Sequence, residues 1–243
     1  MADPTRPRFE ELDSSDTPLG VISLRRRIEP TLQVDVYEAK LGDDFLMSSL
    51  FTHAEVAMAD ISLAGLAGTE LDVVVGGLGL GYTARAVVRE PRVRSLRVIE
   101  TLGEVIGWHR RGLLPVSDDL TSDRRCTFVQ GDFFDMVATG AGFGTDAARS
   151  RHDAILVDID HTPRHLLHPG HAAFYGLDQQ RRLAERLNPG GVYALWSDDP
   201  PDEDYAGVLE EIFASCHAHV ITFANPLTGG EASNTVYIAR VGD

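Results

Sequence analysis

Cysteine is scarce in this chain of 243 residues, and it has neither long apolar runs nor basic stretches. Its two cysteines, Cys126 and Cys216, show no disulfide or metal-ligand spacing, which is typical of proteins from a reducing compartment. No stretch reaches the roughly 18 consecutive apolar residues of a membrane helix, and the polar N-terminus lacks the apolar segment of a secretion signal. We therefore expect a cytoplasmic protein that has no membrane partner.

The sequence also has fewer basic residues than acidic ones. The sequence has 22 Lys and Arg against 37 Asp and Glu, which gives a formal net charge of −15. Nucleic acid is not an expected partner, because phosphate binding depends on a basic face that this sequence lacks. An acidic protein suits a small cationic substrate better. No group of His and Cys has metal-ligand spacing, so we expect no metal.

The order of apolar segments predicts an α/β fold. We expect a flexible arm at residues 1–17, a small antiparallel β-unit at 18–50, and a Rossmann-like domain at 51–243. In that domain, strand patterns at 71–75, 95–100, 126–130, 154–158 and 192–196 alternate with helical patterns at 51–66, 82–89, 102–111 and 177–187. Such alternation predicts a mostly parallel sheet with helices on both faces. Two last segments, 220–224 and 235–240, predict a closing antiparallel pair.

The stretch LDVVVGGLGLG ends the first of these parallel strands with four glycines, at Gly76, Gly77, Gly79 and Gly81. Glycines between a strand and a helix allow a sharp turn and let a ligand touch the backbone beside the helix N-terminus. Glu100 ends the next strand, 19 residues after Gly81, where an acid commonly binds ribose hydroxyls. The combination predicts a cofactor that contains a nucleoside.

Two readings of the glycines compete. Residues 79–84 fit GxGxxA, a dinucleotide fingerprint, whereas residues 77–81 fit the GxGxG turn of enzymes that bind S-adenosylmethionine. Asp132 follows the third strand, where a carboxylate can hold an adenine amino group, and the antiparallel ending also favours the second reading. Asp132 could instead cap the helix that begins at Phe133.

The chain resembles the spermidine synthase (polyamine aminopropyltransferase) family, a branch of the class I S-adenosylmethionine-dependent methyltransferase fold. DVYEAKLGDDFLMSS is similar to the end of the family's N-terminal strands, VVVGGLGLG to its glycine-rich loop, and RVIE to the strand that ends in the ribose-binding acid. QGDFF, HDAILVDIDHTP and ANPLTGG resemble its adenine-binding, catalytic and late loop segments. The resemblance implies S-adenosylmethionine or decarboxylated S-adenosylmethionine as cofactor, bound by Gly76, Gly77, Gly79, Gly81, Glu100 and Asp132, and it allows a homodimer.

Three positions depart from the family pattern. Gly79 stands where the family has the Asp that holds the amine of the aminopropyl donor. His161 stands where the family has the second acid of its catalytic segment, and Asp160 lies one residue earlier. The Tyr-x-Glu segment beside the substrate is replaced by residues 47–49.

Asp158 is the candidate catalytic residue. It ends the fourth parallel strand, where ligands bind in open α/β sheets, and the resemblance places the family's catalytic acid there. An attacking amine is protonated at neutral pH, and a carboxylate can accept its proton and orient it. Weaker candidates for substrate binding are Asp160, His161, Trp196, Asp198 and His53, each of which could instead be a loop or core residue.

The residues leave four functions open. The first is transfer of an aminopropyl group from decarboxylated S-adenosylmethionine to a small cationic amine, and the second is methyl transfer on the same scaffold. A cofactor-binding protein without turnover and an NAD-dependent oxidoreductase are the third and fourth.

Overall fold

The computed structural model of the chain describes residues 7–144 and 151–242. Its first sheet is antiparallel and has the order β1-β2-β3-β4. The four strands are β1 (Phe9–Thr17), β2 (Gly20–Ile28), β3 (Asp35–Leu41) and β4 (Asp44–Ser48).

The expectation of a loose arm is wrong for Phe9–Thr17, which pair with β2 from end to end, with one irregularity between Glu11 and Asp13. Residues 1–6 of that arm lie outside the described residues. The polar composition of β1 has a structural purpose that local sequence does not reveal. Glu10 accepts from the buried Arg26 guanidinium at 3.1 Å, and Asp13 accepts from the Trp108 indole at 2.7 Å.

The second sheet has seven strands in the order β10-β11-β9-β8-β5-β6-β7. They are β5 (Leu71–Gly76), β6 (Val93–Glu100), β7 (Cys126–Gln130), β8 (His152–Val157), β9 (Leu187–Ser197), β10 (Ser215–Asn225) and β11 (Gly230–Arg240). β11 is antiparallel to both of its neighbours, and all other pairs are parallel. The predicted parallel sheet with an antiparallel ending is therefore confirmed.

Seven α-helices and one 3₁₀-helix (Pro169–Tyr175) connect the strands of the described chain. The α-helices are α1 (His53–Ala64), α2 (Tyr82–Arg89), α3 (Gly103–Arg110), α4 (Ser117–Thr121), α5 (Phe133–Thr139), α6 (Leu177–Ala184) and α7 (Glu203–Glu210). None of these helices has the length and apolarity that crossing a membrane requires, within the part of the chain that the structure describes.

Hydrophobic side chains cover both faces of the large sheet. Every residue of β5 is buried, as expected of a central parallel strand between two helical layers. Val73 and Val75 point into one cluster, and Val74 points into the other. The first cluster also contains Ile22 and Leu24 of β2, so the small sheet shares the core of the large one.

The strand order creates a crevice at the middle of the large sheet. From β5 the chain continues to β6 on one side, and only later returns to β8 on the other. In open α/β sheets, ligands bind outside the carboxyl ends of the strands at such a reversal. The ends of β5 and β8 therefore mark the expected position of a ligand.

We predict that Asp13→Ala destabilises the protein by about 1–3 kcal/mol, because it leaves the buried indole N–H of Trp108 without its acceptor. Urea unfolding of the two proteins measures this difference. Asp16→Ala, at an exposed position of the same strand, is the matched control and should change stability by less than about 0.5 kcal/mol. Equal effects of the two substitutions would contradict the role assigned to Asp13.

Candidate active site

A cavity of about 650 Å³ lies at the carboxyl ends of β5, β8 and β9. Its lining includes residues of the glycine loop (residues 76–81) and of the segment after β8. Its walls come from β4, from the beginning of α1, from the end of β9, and from Phe223 and Asn234 of the β10–β11 hairpin. The cavity therefore occupies the crevice that the strand order predicts, and the small N-terminal sheet closes one of its sides.

Carboxylates dominate the charge of this cavity. Six of the described lining residues are acids: Asp44, Glu55, Asp158, Asp160, Asp198 and Asp199. No Lys or Arg is among the described residues of its lining. The cavity thus has a strongly negative potential, which attracts cations and repels anions.

Asp158 lies at the junction of the glycine loop and the cavity. The hydroxyl of the buried Thr83, in the first turn of α2, donates to its Oδ2 atom at 2.7 Å. Burial raises the pKa of Asp158, and the Thr83 hydrogen bond opposes that rise. The structure therefore gives the predicted catalytic residue a fixed orientation and a proton affinity above that of an ordinary aspartate.

Glu55 is a partly buried carboxylate of this cavity, and our sequence analysis did not single it out. It lies in the first turn of α1. Burial raises its pKa, and the charge of Asp158 raises it further. The signal in the sequence was the FTHAE stretch, from which we selected His53 and passed over the acid two residues later.

Packing within the protein itself explains the glycines of this loop, in addition to any contact with a ligand. Gly77 has φ +94°, and a Cβ atom there would overlap the carbonyl oxygen of Asp158. Gly81 has φ +88°, and a Cβ atom there would lie 2.7 Å from the His109 ring. Gly79, with φ +47°, faces the cavity and has the Met47 thioether beside it. Gly76 leaves room for the ring of Phe133.

Glu100 supports this loop from below. Its carboxylate accepts from the Leu78 amide at 3.1 Å and from the Leu102 amide at 2.8 Å. Burial raises the pKa of Glu100, and these amide bonds oppose the rise. The residue lies at the end of β6 as predicted, and its role in binding ribose stays a prediction.

Asp132 is the N-cap of α5, as one of our two readings proposed. Its Oδ1 atom accepts from the amides of Phe134 at 2.9 Å and Asp135 at 3.1 Å. Oδ2 makes no hydrogen bond to the described residues, so the cap leaves one oxygen available to a ligand. Capping and adenine binding are therefore compatible.

Asp160 organises the loop after β8. Its side chain accepts from the Leu167 amide at 2.7 Å, from His171 Nδ1 at 2.8 Å and from the Tyr175 hydroxyl at 2.9 Å. With its oxygens bonded in this way, Asp160 shapes the cavity wall, and its role in binding a substrate stays a prediction. His161 lines the cavity and packs against the ring of His165, with the ring centroids 4.8 Å apart.

Trp196 and Asp198 both line the cavity at the end of β9, as predicted. The Asp198 carboxylate accepts from the Asn234 amide at 2.7 Å, which joins β9 to the hairpin. The indole N–H of Trp196 is buried and has no hydrogen-bond acceptor among the described residues.

His53 lies outside the cavity lining. It is exposed at the beginning of α1 and stacks on Phe223, with the ring centroids 5.0 Å apart. The reading of His53 as a core histidine is wrong, because α1 turns this residue toward solvent.

Within the described residues, no group of three or more His, Cys, Asp or Glu side chains could hold a metal ion.

The fold has known counterparts. Spermidine synthase from Thermotoga maritima matches 96% of this chain and 73% of its own, with TM-score 0.72 and 17% identity. A spermidine synthase in complex with the transition state analogue AdoDATO matches 96% of this chain and 74% of its own, with TM-score 0.73 and 17% identity. The chain has the spermidine synthase fold.

A methyltransferase-like protein shares the same fold more distantly. Human methyltransferase-like protein 13, in complex with SAH, matches 77% of this chain and 79% of its own, with TM-score 0.52 and 18% identity. No family model matches the chain. The resemblance stated from the sequence is thus confirmed for the fold, within which both aminopropyl and methyl transfer remain candidate reactions.

We predict that Gly77→Ala destabilises the protein more than Gly112→Ala. Both positions have positive φ, which costs a residue with a side chain about 1–2 kcal/mol. A Cβ atom at Gly112 meets nothing within 4 Å, whereas one at Gly77 overlaps the end of β8 and adds about 1–3 kcal/mol of overpacking. Thermal unfolding measures both variants. Equal losses of stability in the two variants would contradict the close packing of Gly77 against Asp158 at the end of β8.

Proposed function

We propose that this protein is a transferase that moves an aminopropyl group from decarboxylated S-adenosylmethionine to a small cationic amine. The observation that supports this most is the cavity with six carboxylates and no Lys or Arg in its described lining. Such a lining favours substrates that bear ammonium groups and disfavours those that bear carboxylates.

The residues of the crevice fit the adenosine part of such a donor. The glycine loop presents backbone at the beginning of α2, Glu100 offers carboxylate oxygens below it, and Asp132 has one oxygen free of its cap. When bound, the donor supplies a carbon that is activated by a neighbouring sulfonium. The chain's own residues would then fix the donor, exclude water and position the amine.

Asp158 is the proposed base. An alkylammonium group with a pKa of about 10.4 must lose a proton before its nitrogen can attack. This deprotonation costs roughly 4–5 kcal/mol at pH 7. The Asp158 carboxylate, held by Thr83, accepts that proton and orients the lone pair. A new C–N bond forms as the C–S bond breaks, and the electron pair of the broken bond stays on sulfur.

Methyl transfer is the second candidate, and the glycine loop supports it. Gly79 offers no carboxylate for the ammonium of an aminopropyl donor, and the neighbouring side chain is the apolar Met47. Against it, the carboxylate of ordinary S-adenosylmethionine would lie beside a cavity rich in negative charge. We therefore favour the decarboxylated donor.

A comparison of donors tests the proposal. The protein is incubated with a mixture of amines and either donor, and the products are identified by mass spectrometry. We expect aminopropyl adducts with decarboxylated S-adenosylmethionine. Methyl adducts alone would support the second candidate. Binding of the donors without any product would favour a cofactor-binding protein without turnover, and binding of NAD in their place would favour an oxidoreductase.

We predict that Asp158→Asn lowers turnover by at least about a hundredfold, because the variant has no base to accept the amine proton. The affinity for methylthioadenosine, an adenosine thioether without the group to be transferred, should change little when it is measured by calorimetry. In the wild type, kcat/KM should fall as the pH falls through about 6, the raised pKa of Asp158, since protonation removes the base. An equal loss of turnover and thioether affinity would contradict this role.

A further inference from the structure

Glu55 reaches the cavity because of its position on α1. Ala54, Met58 and Ala59 are buried on the core side of this helix, and Glu55 shares a face with Met58 and Ala59 at helical spacing. Asp60, on the same helix, is exposed. The fold therefore turns one acid of α1 toward Asp158 and the other toward solvent.

Two partly buried carboxyl groups that line one cavity resist simultaneous ionisation. Burial raises the pKa of both groups, and the charge of Asp158 raises that of Glu55 further. The Thr83 hydroxyl donates to Asp158 and stabilises its ionised form. In the empty cavity at neutral pH the pair therefore holds one proton, and that proton resides on Glu55.

The other carboxylates of the cavity are hydrogen-bonded within the protein or lie at exposed positions. The Asp160 carboxylate is bonded to its own loop, and that of Asp198 is bonded to Asn234. Asp44 lies at the exposed start of β4, and Asp199 is exposed at the end of β9.

Further charged or titratable side chains lie on α2 and on the loop after β8. Tyr82 has a pKa raised chiefly by burial, so it is neutral at pH 7, and Arg85 lies over its ring at 4.9 Å. The rings of His161 and His165 pack against each other on the opposite wall. Glu55 and Asp158 are thus the pair of carboxyl groups in this cavity whose pKa burial raises.

We propose that Glu55 is the residue by which the cavity selects a protonated amine, and that it releases its own proton when an alkylammonium group enters. This inference rests on the proposed function. The proton balance is simple: the Glu55 carboxyl becomes a carboxylate and its proton goes to solvent, while the ammonium stays charged. Asp158, already ionised, remains free to take the ammonium proton when the amine attacks.

The position of Glu55 lowers the energetic cost of this change. The first turn of α1 carries the partial positive charge of a helix N-terminus, which stabilises a carboxylate. The aromatic residues Phe51, Tyr82, Trp196 and Phe223 line the same cavity, and aromatic rings attract an alkylammonium group. The expected ligand class is therefore a small alkylamine in its protonated form, in preference to a neutral molecule of the same shape.

Calorimetry detects the released proton directly. We titrate 1,4-diaminobutane into protein saturated with methylthioadenosine at pH 7, which lies between the raised pKa of Asp158, about 6, and that of Glu55, about 8. Parallel titrations in phosphate and Tris buffers, whose ionisation enthalpies differ, give the number of protons released. The neutral isostere 1,4-butanediol is the matched probe.

We expect the wild type to release a proton to the buffer on binding the diamine and to bind the diol too weakly to measure. Glu55→Gln should release none and bind the diamine about ten- to a hundredfold more weakly. Asp60→Asn removes the same charge from the exposed side of α1 and should behave as the wild type. Unchanged affinity for methylthioadenosine shows that each variant is folded.

The outcomes separate this inference from the function on which it rests. A wild type that neither binds methylthioadenosine nor forms a product with either donor would refute the proposed function itself. A wild type that transfers the group, yet shows no proton release or no diamine binding, overturns the role of Glu55. Equal proton release by Glu55→Gln and the wild type overturns it as well.

Discussion

The end of β5 approaches the end of β8 so closely that a residue with a side chain does not fit at Gly77. The Asp158 amide donates to the Gly76 carbonyl at 2.8 Å, and the Gly77 amide donates to that of Ile99 at 2.9 Å. This junction fixes the glycine loop, the end of β6 and Asp158 relative to one another. The glycines therefore shape the crevice first, and the exposed backbone that a ligand could contact is a consequence of that packing.

Electrostatics then give the crevice its chemical character. Carboxylates line the cavity without Lys or Arg among the described lining residues, and burial raises the pKa of two of them, Glu55 and Asp158. A buried acid without a cationic partner is costly unless it is protonated or meets a positive ligand. Part of the acidity of this chain is thus concentrated in the candidate active site.

Local pattern predicted the elements well where a strand or helix is decided by its own residues. The helix at 82–89 and the strand at 126–130 have the predicted bounds, and the closing antiparallel pair is present. β1 was missed because its acids are satisfied by distant partners, Arg26 on the next strand and Trp108 on α3. Local composition cannot show such contacts.

The sequence by itself determined the α/β fold, the crevice at the glycine loop, and the positions of Asp158, Glu100 and Asp132 at strand ends, because these depend on periodicity and on glycines at a strand end. Only the tertiary structure decided which acids face one another. Helix rotation brings Glu55 into the cavity and turns His53 away from it, and hydrogen bonds direct Asp160 into its own loop. Side-chain direction depends on packing between elements far apart in the chain, and no local spacing encodes it.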